Sequence, residues 1–248
     1  MAARIAAEAS RIPLSYFRAP LDVIAKADQS PVTIADRETE AFIRAELARA
    51  VPDHGIFGEE HGVSGSLTGA AWIIDPIDGT RSFISGHPLF GMLLGFLDAG
   101  RPRIGLVRMP ALDETFLGIA GGAATLNGAP IRCRTTRQLT EAILYINEAE
   151  KILGADPARF ARLCQAGQTR RMAYDCYPHA LVAAGQVDAV VDCGLEPYDY
   201  LPLVALIEAA GGVITDWAGA PLGLRSDGRV VTAATPELHR ELLALLAA

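Results

Sequence analysis

Apolar residues fall along this chain in short runs divided by Gly, Pro, Asn and Asp, and the spacing within the runs predicts a mixture of helices and strands. Residues 4–26 have helix-period apolar positions (Ile5, Ala9, Ile12, Tyr16, Val23) that Pro13 and Pro20 interrupt, so one or two helices are expected there. Ser30-Pro31 is a turn signal. Thr33 or Asp36 can cap the helix that follows, with Thr39 or Glu40 in its first turn. Ala41, Phe42, Ala45, Leu47, Ala48 and Val51 give this helix its expected core face, and it stops at Pro52. A short strand, Ile56-Phe57-Gly58, leads into Glu59-Glu60, and residues 64–69 read as a flexible loop. Residues 70–74 are an apolar run of the kind that forms a buried strand, and it ends in Asp75-Pro76-Ile77-Asp78-Gly79-Thr80.

Strands are predicted over 90–97, 104–109 and 115–119, the first two joined by a hairpin at 98–102. The glycines of 121–128 are explained by a tight Asn127-Gly128 turn, and neither GxxxxGK[ST] nor a strand-to-helix GxGxxG is present. From about residue 135 strands and helices alternate: strands at 142–147, 170–173, 187–192, 213–215 and 230–234, helices from 156 to about 166, over 177–185, through 200–210 and over 236–247. The expected fold class is therefore α+β passing into α/β, with an N-terminal half (1–135) and a C-terminal half (136–248) packed together across a boundary that no linker marks. No fixed-period repeat occurs.

Composition narrows the picture. With 248 residues, half of them apolar and 21% charged, the chain can bury a sizeable core. A net charge of −7 argues against nucleic-acid or anionic-membrane binding, and no apolar run is long enough to span a bilayer. The first residues lack the apolar segment of a secretory signal, so a cytoplasmic protein with its four cysteines reduced is expected. No CxxC or HExxH spacing points to zinc; what the chain offers is hard oxygen ligands.

Those oxygens concentrate around residues 72–80. Two carboxylates three residues apart repel unless a cation lies between them, and the following Gly79-Thr80 can open a helix whose N–H groups face an anion. An Asp-rich turn would account for the same residues. Glu59-Glu60 taken alone is an ordinary solvated pair, but its strand and the 70–74 strand would bring their carboxylates together if they are neighbours. Asp199 sits where a helix N-cap belongs, and capping alone would explain it.

Taken together, Gly58-Glu59-Glu60, the 72–80 run followed by Phe83, and Asp199 followed by Glu208-Ala209-Ala210-Gly211-Gly212 resemble the inositol monophosphatase superfamily of Mg²⁺-dependent phosphomonoesterases. The resemblance runs from about residue 10 to the end and is strongest to the histidinol-phosphatase branch, through residues 26–37, Asp175-Cys176-Tyr177 and the segment 197–217. The chain departs from that branch at Ala173-Tyr174, where Gly-Gly is usual, and at Glu196, where Lys is usual; Tyr198 replaces the Trp usual in inositol phosphatases. The resemblance implies a layered αβαβα sandwich of the inositol monophosphatase and fructose-bisphosphatase type, a homodimer, and two or three Mg²⁺ ions per site. Glu59, Asp75 and the Ile77 carbonyl would hold one ion, and Asp75, Asp78 and Asp199 another, with a looser third near Glu59. Gly79 and Thr80 would bind phosphate, Asp36 with Thr80 would activate the attacking water, and Glu60 would act through a second water. Asp175, Asp192 and Arg170 would meet the alcohol part of a small phosphorylated substrate.

No Cys, Ser or His lies in a nucleophile motif, so a metal-activated water is expected rather than a phosphoenzyme. Carboxylates at 175 and 192 suit a cationic amino alcohol, which favours L-histidinol phosphate and a place in histidine biosynthesis; inositol 1-phosphate, or a broad range of phosphomonoesters, is the alternative. Nucleotide-linked substrates are disfavoured by the short chain, and a non-catalytic binding role by the carboxylate present at every ligand position.

Overall fold

The computed structural model describes residues 1–20, 23–25 and 31–248. The Ser30-Pro31 turn and the 26–30 part of the family-like segment lie outside the described residues. The first elements are helices α1 (Ala2–Ala9) and α2 (Arg11–Tyr16), strands β1 (Val23–Ala25) and β2 (Pro31–Thr33), which pair antiparallel, and helix α3 (Ile34–Ala50). Next comes an eight-stranded sheet made of β3 (Gly55–Gly58), β4 (Gly62–Ser64), β5 (Ala70–Asp78), β6 (Gly91–Asp98), β7 (Arg101–Met109), β8 (Glu114–Ile119), β9 (Ala124–Leu126) and β10 (Ala129–Ile131), with the short α4 (Thr80–Ile84) after β5. The remaining chain forms a five-stranded sheet of β11 (Ile143–Asn147), β12 (Thr169–Ala173), β13 (Ala189–Asp192), β14 (Val213–Thr215) and β15 (Val230–Ala233). Around it run α5 (Ala149–Ala155), α6 (Pro157–Leu163), α7 (Tyr177–Ala183), α8 (Pro197–Ala209) and α9 (Pro236–Ala247). No helix among the described residues is long and apolar enough to cross a membrane.

Three apolar clusters define five layers. Ile5, Ala6, Ile43 and Leu47 of α1 and α3 pack on Trp72, Ile74 and Leu94 of the larger sheet. Ile73, Leu93 and Val107 on its opposite face meet α7 and α8, which also cover Val190 and Val230 of the smaller sheet. Ile152, Leu163, Leu238 and Leu242 of α5, α6 and α9 close the far face of that sheet. The order is thus αβαβα. Because β5 is covered on both faces, it reads as an unbroken apolar run rather than an alternating one.

Helix α8 lies between the two sheets, which is why residues 200–207 are buried all round the helix. It can come this close to the larger sheet because Gly95, Gly105 and Gly118 stand directly opposite one another across β6, β7 and β8. A Cβ at Gly105 would lie 1.8 Å from the Pro202 carbonyl oxygen, and one at Gly118 would lie 2.4 Å from the Leu206 Cα. This row of glycines therefore fixes how deeply α8 sits, and with it the position of Asp199 near the helix start.

Three sequence expectations are corrected. Val23, placed in the helical pattern of residues 4–26, lies in strand β1. In α3, Ala41, Ala45 and Ala48 are exposed, and the buried face runs through Asp36, Thr39, Glu40, Ile43, Glu46 and Leu47. Alanines with helical spacing imitate a core face, but here the inner face carries charge for other reasons. Between the 142–147 strand and the 156–166 helix there is an additional helix, α5, which starts after Glu148 takes a left-handed conformation (φ 47°).

Gly105→Ala is expected to lower stability by about 1–3 kcal/mol through overpacking. Gly69→Ala, where a Cβ would meet nothing within 4 Å, should leave the urea midpoint unchanged. Equal midpoints for the two variants would contradict the glycine-row account.

Candidate active site

Strand β5 extends through the carboxylates rather than ending at residue 74. Asp75 pairs with Leu93 and Asp78 with Gly91, so three steps on β5 match two on β6. This bulge matters because residues three apart on a regular strand point to opposite faces. The extra residue brings Asp75 and Asp78 to one side, and the Ile77 N–H closes the bulge by donating to Asp75 Oδ1 (3.0 Å). Gly79 follows in a left-handed conformation (φ 84°) and turns the chain into α4.

Strand β3 runs parallel to β5, with Gly58 opposite Ile74, so Glu59-Glu60 leaves its strand beside Asp75. Asp199 is not the N-cap of α8. Glu196 takes that position and Asp199 is the third helical residue, its carboxylate accepting from the Glu196 N–H at 2.8 Å. One oxygen from each of Asp75, Asp78 and Asp199 lies within 4.8 Å of the others.

Asp36 is fully buried near the start of α3. Its Oδ2 accepts from the Thr33 N–H (2.8 Å) and hydroxyl (2.6 Å), and its Oδ1 lies 3.2 Å from the Thr80 hydroxyl. The capping box of α3 thus holds Asp36 against the turn after β5.

The electrostatics of this cluster are unfavourable for carboxylates alone. Asp75 is pushed well above the usual carboxylate range by burial, then by Glu59, Asp78 and Asp199. Asp78 is pushed well up by burial, then by Asp175 and Asp199, although the Cys176 N–H donates to it. Burial lifts Asp199 to about 7, with Glu59 adding to the rise. Burial also raises Asp36. Oxygen ligands this close, dehydrated and mutually repelling suit a hard divalent cation, which would relieve what now raises their pKa values.

The predicted substrate residues separate. Asp175 (φ 63°) faces a cavity of about 680 Å³ bounded also by Arg81, Glu148, Glu150, Tyr174 and Tyr177. Its carboxylate accepts from the Ser82 hydroxyl (2.6 Å) and lies so close over Gly79 that a Cβ there would approach to 2.6 Å. Asp192 is buried behind this wall, bound by His179 Nε2 (3.0 Å) and by Asn147 Nδ2 (2.7 Å), which also reaches the Asp175 carbonyl (3.0 Å). Arg170 folds back onto the Ala166 and Gly167 carbonyls, and it is Arg171 that lines the cavity. Of the positions where the chain departs from the histidinol-phosphatase pattern, Ala173 and Tyr174 line the cavity and Glu196 does not.

Sequence reasoning missed Glu40, Asn147 and the Glu148/Glu150 pair. For Glu40 a signal existed: Asp36, Glu40 and Arg44 recur every fourth residue, a charged stripe along one helix face.

The profile of the Inositol monophosphatase family matches residues 1–248. The chain belongs to the inositol monophosphatase family. The family is metal-dependent and hydrolyses small phosphorylated substrates, in agreement with the carboxylate cluster. Among similar members, the chloroplastic bifunctional phosphatase IMPL2 of Arabidopsis thaliana is 38% identical over 237 residues, 92% of this chain and 68% of that protein. A histidinol-phosphatase of Chlorobaculum parvum is 36% identical over 251 residues, 99% of this chain and 95% of that one. The structure of an inositol monophosphatase from Zymomonas mobilis superposes with a TM-score of 0.89 at 35% identity, covering all of this chain and 96% of its own. The inositol monophosphatase family thus fixes a phosphatase and leaves its alcohol to be read from the cavity.

The raised carboxyls link stability to pH. Asp175 and Asp199 lie at about 6 and about 7 in the fold, against an ordinary 3.8. A raised folded-state pKa gives stability that is full below 3.8 and is lost as pH climbs through 6 and 7. The melting temperature of the metal-free protein should therefore fall between about pH 4 and about pH 7, and millimolar Mg²⁺ should remove most of that fall near neutral pH. A flat profile in EDTA would contradict the repulsion described here.

Proposed function

We propose that this phosphatase hydrolyses L-histidinol phosphate to L-histidinol and phosphate with Mg²⁺ as its metal. The observation that carries the reading is the Asp175 carboxylate, packed over the Gly79 backbone and facing a cavity that also holds Glu148 and Glu150. In L-histidinol phosphate the ammonium group is on the carbon next to the one bearing the ester oxygen. A phosphate held at Gly79-Thr80 would bring that ammonium toward Asp175, and Tyr174 and Tyr177 are aromatic residues of the same cavity that could pack on the imidazole. Inositol 1-phosphate has no cation to match this wall. It remains the second reading because of the 35% identity to the Zymomonas mobilis inositol monophosphatase.

Glu59, Asp75, Asp78, Asp199 and the Ile77 carbonyl are the groups that would hold Mg²⁺. Bound there, the metal would supply a water acidic enough to attack near neutral pH and would neutralise charge on the leaving oxygen. Gly79 and Thr80 would orient the phosphate through backbone N–H groups. The Thr80 hydroxyl, 3.2 Å from Asp36 Oδ1, can give its proton to Asp36 while accepting one from the attacking water. Asp36 suits this role because its two bonds to Thr33 fix it in place and burial makes it more basic than an exposed carboxylate. Glu60 would steady this arrangement through a second water. Asp192, behind Asn147, would act on the alcohol only by fixing the Asp175 backbone. The same reading carries the expectation of a cytoplasmic homodimer.

With Mg²⁺, phosphate release from L-histidinol phosphate is expected to exceed that from inositol 1-phosphate, and EDTA should abolish both. Asp175→Asn should cut kcat/KM for the cationic substrate by about 10- to 100-fold, the loss of one charge-assisted hydrogen bond, and should affect inositol 1-phosphate much less. Equal losses would remove the case for histidinol phosphate. Asp78→Asn should nearly abolish turnover while raising the melting temperature of the metal-free protein, since it removes one member of a repelling set; near wild-type turnover would refute the metal assignment.

A further inference from the structure

We infer that Glu40 is a positioning residue for the Glu59-Glu60 turn and sets how tightly the site holds a divalent cation; this rests on the metal ligation proposed above. Glu40 is fully buried on α3, one helical turn beyond Asp36. One of its oxygens accepts from the Glu60 N–H (2.6 Å) and the other from the His61 N–H (3.2 Å). Arg44, a further turn along, ion-pairs with it at 2.6 Å, and the same guanidinium donates to the Gly62 carbonyl and to the Ser64 hydroxyl (3.0 Å). One face of α3 therefore grips the β3–β4 hairpin at both ends of its turn. The packing leaves no slack: a Cβ at Gly58 would come within 2.1 Å of the Glu40 carboxylate.

A buried carboxylate is destabilising unless its pairing is complete, and this one also sits near a site already crowded with negative charge. Arg44 offsets the charge. What the arrangement provides is a fixed backbone at Glu60 and His61, directly after Glu59, whose own N–H is held by the Ile74 carbonyl next to Asp75 and whose charge acts on Asp75 and Asp199. Loosening the turn would let Glu59 move away from the cluster and lower cation affinity, with the reacting groups on β5 and α4 left in place.

The test uses full-length protein and Mn²⁺ as the probe, with free Mn²⁺ followed by its EPR signal. Glu40→Gln, whose amide opposes one of the two N–H donors, should raise the Mn²⁺ Kd by about 10- to 100-fold, as loss of a ligand-orienting contact does. The Mg²⁺ concentration for half-maximal phosphate release should rise by the same factor, while substrate KM at saturating Mg²⁺ changes by less than about twofold. Arg44→Gln should shift Kd the same way by a smaller factor of about three, as a partial loss of the same support. A purely structural role would lower the melting temperature of metal-free Glu40→Gln and leave the Kd of the folded protein at the wild-type value, which would overturn the inference. If Glu40→Gln does not fold, an unchanged Kd in Arg44→Gln overturns it. Absence of Mn²⁺ binding by the wild-type protein would instead overturn the metal assignment, and this inference with it.

Discussion

Repulsion among dehydrated carboxylates is the constraint around which this protein is arranged. Asp75, Asp78 and Asp199 each bring an oxygen within 4.8 Å of the others, and Glu59 adds its charge from the next strand. Such a set is held together only by stronger interactions elsewhere. The five-layer core provides them: β5 is covered by α1 and α3 on one side and by α7 and α8 on the other, so its carboxylate end cannot retreat into solvent without exposing Ile73, Ile74 and Trp72. The site is strained electrostatically because the core around it is well packed.

Each carboxylate of the site has its own local device. A bulge puts Asp75 and Asp78 on one side of β5. A capping box places Asp36, and a second one places Asp199. The glycine row under α8 determines how far that helix carries Asp199 toward the sheet. In the first turn of α8, Tyr198 meets Phe57 edge-on at 5.8 Å, so the helix start is also keyed to the strand that leads into Glu59. The cavity and the carboxylate cluster adjoin through consecutive residues: Asp175 faces the cavity, and the next N–H, that of Cys176, donates to Asp78.

Much of this was legible in the sequence, and the failures have physical causes. The 72–80 run was conspicuous by itself, whereas Glu59-Glu60 and Asp199, read singly as a surface pair and a helix cap, gained a role only through the spaced set of motifs that resembles the family; β3 does lie parallel to β5 as convergence required. The bulge was not legible, since an extra residue shows only against its partner strand. The inner face of α3 was misread because its alanines have core-like spacing while its buried positions hold Asp36, Glu40 and Glu46. Arg170 and Arg171 show how a single-residue step on a strand reverses which side chain meets the cavity. The glycine row depends on the registers of three strands and so is invisible along the chain.

The depth at which α8 sits also bears on how the molecule opens. Asp199 belongs to a helix wedged between the two sheets, whereas Asp75 and Asp78 belong to the larger sheet alone. Any fluctuation that lifts α8 off Gly95, Gly105 and Gly118 separates Asp199 from its two partners and relieves their repulsion in the same motion. Partial unfolding is thus rewarded by charge separation, and amide exchange along α8 becomes a direct gauge of how well those three charges are balanced.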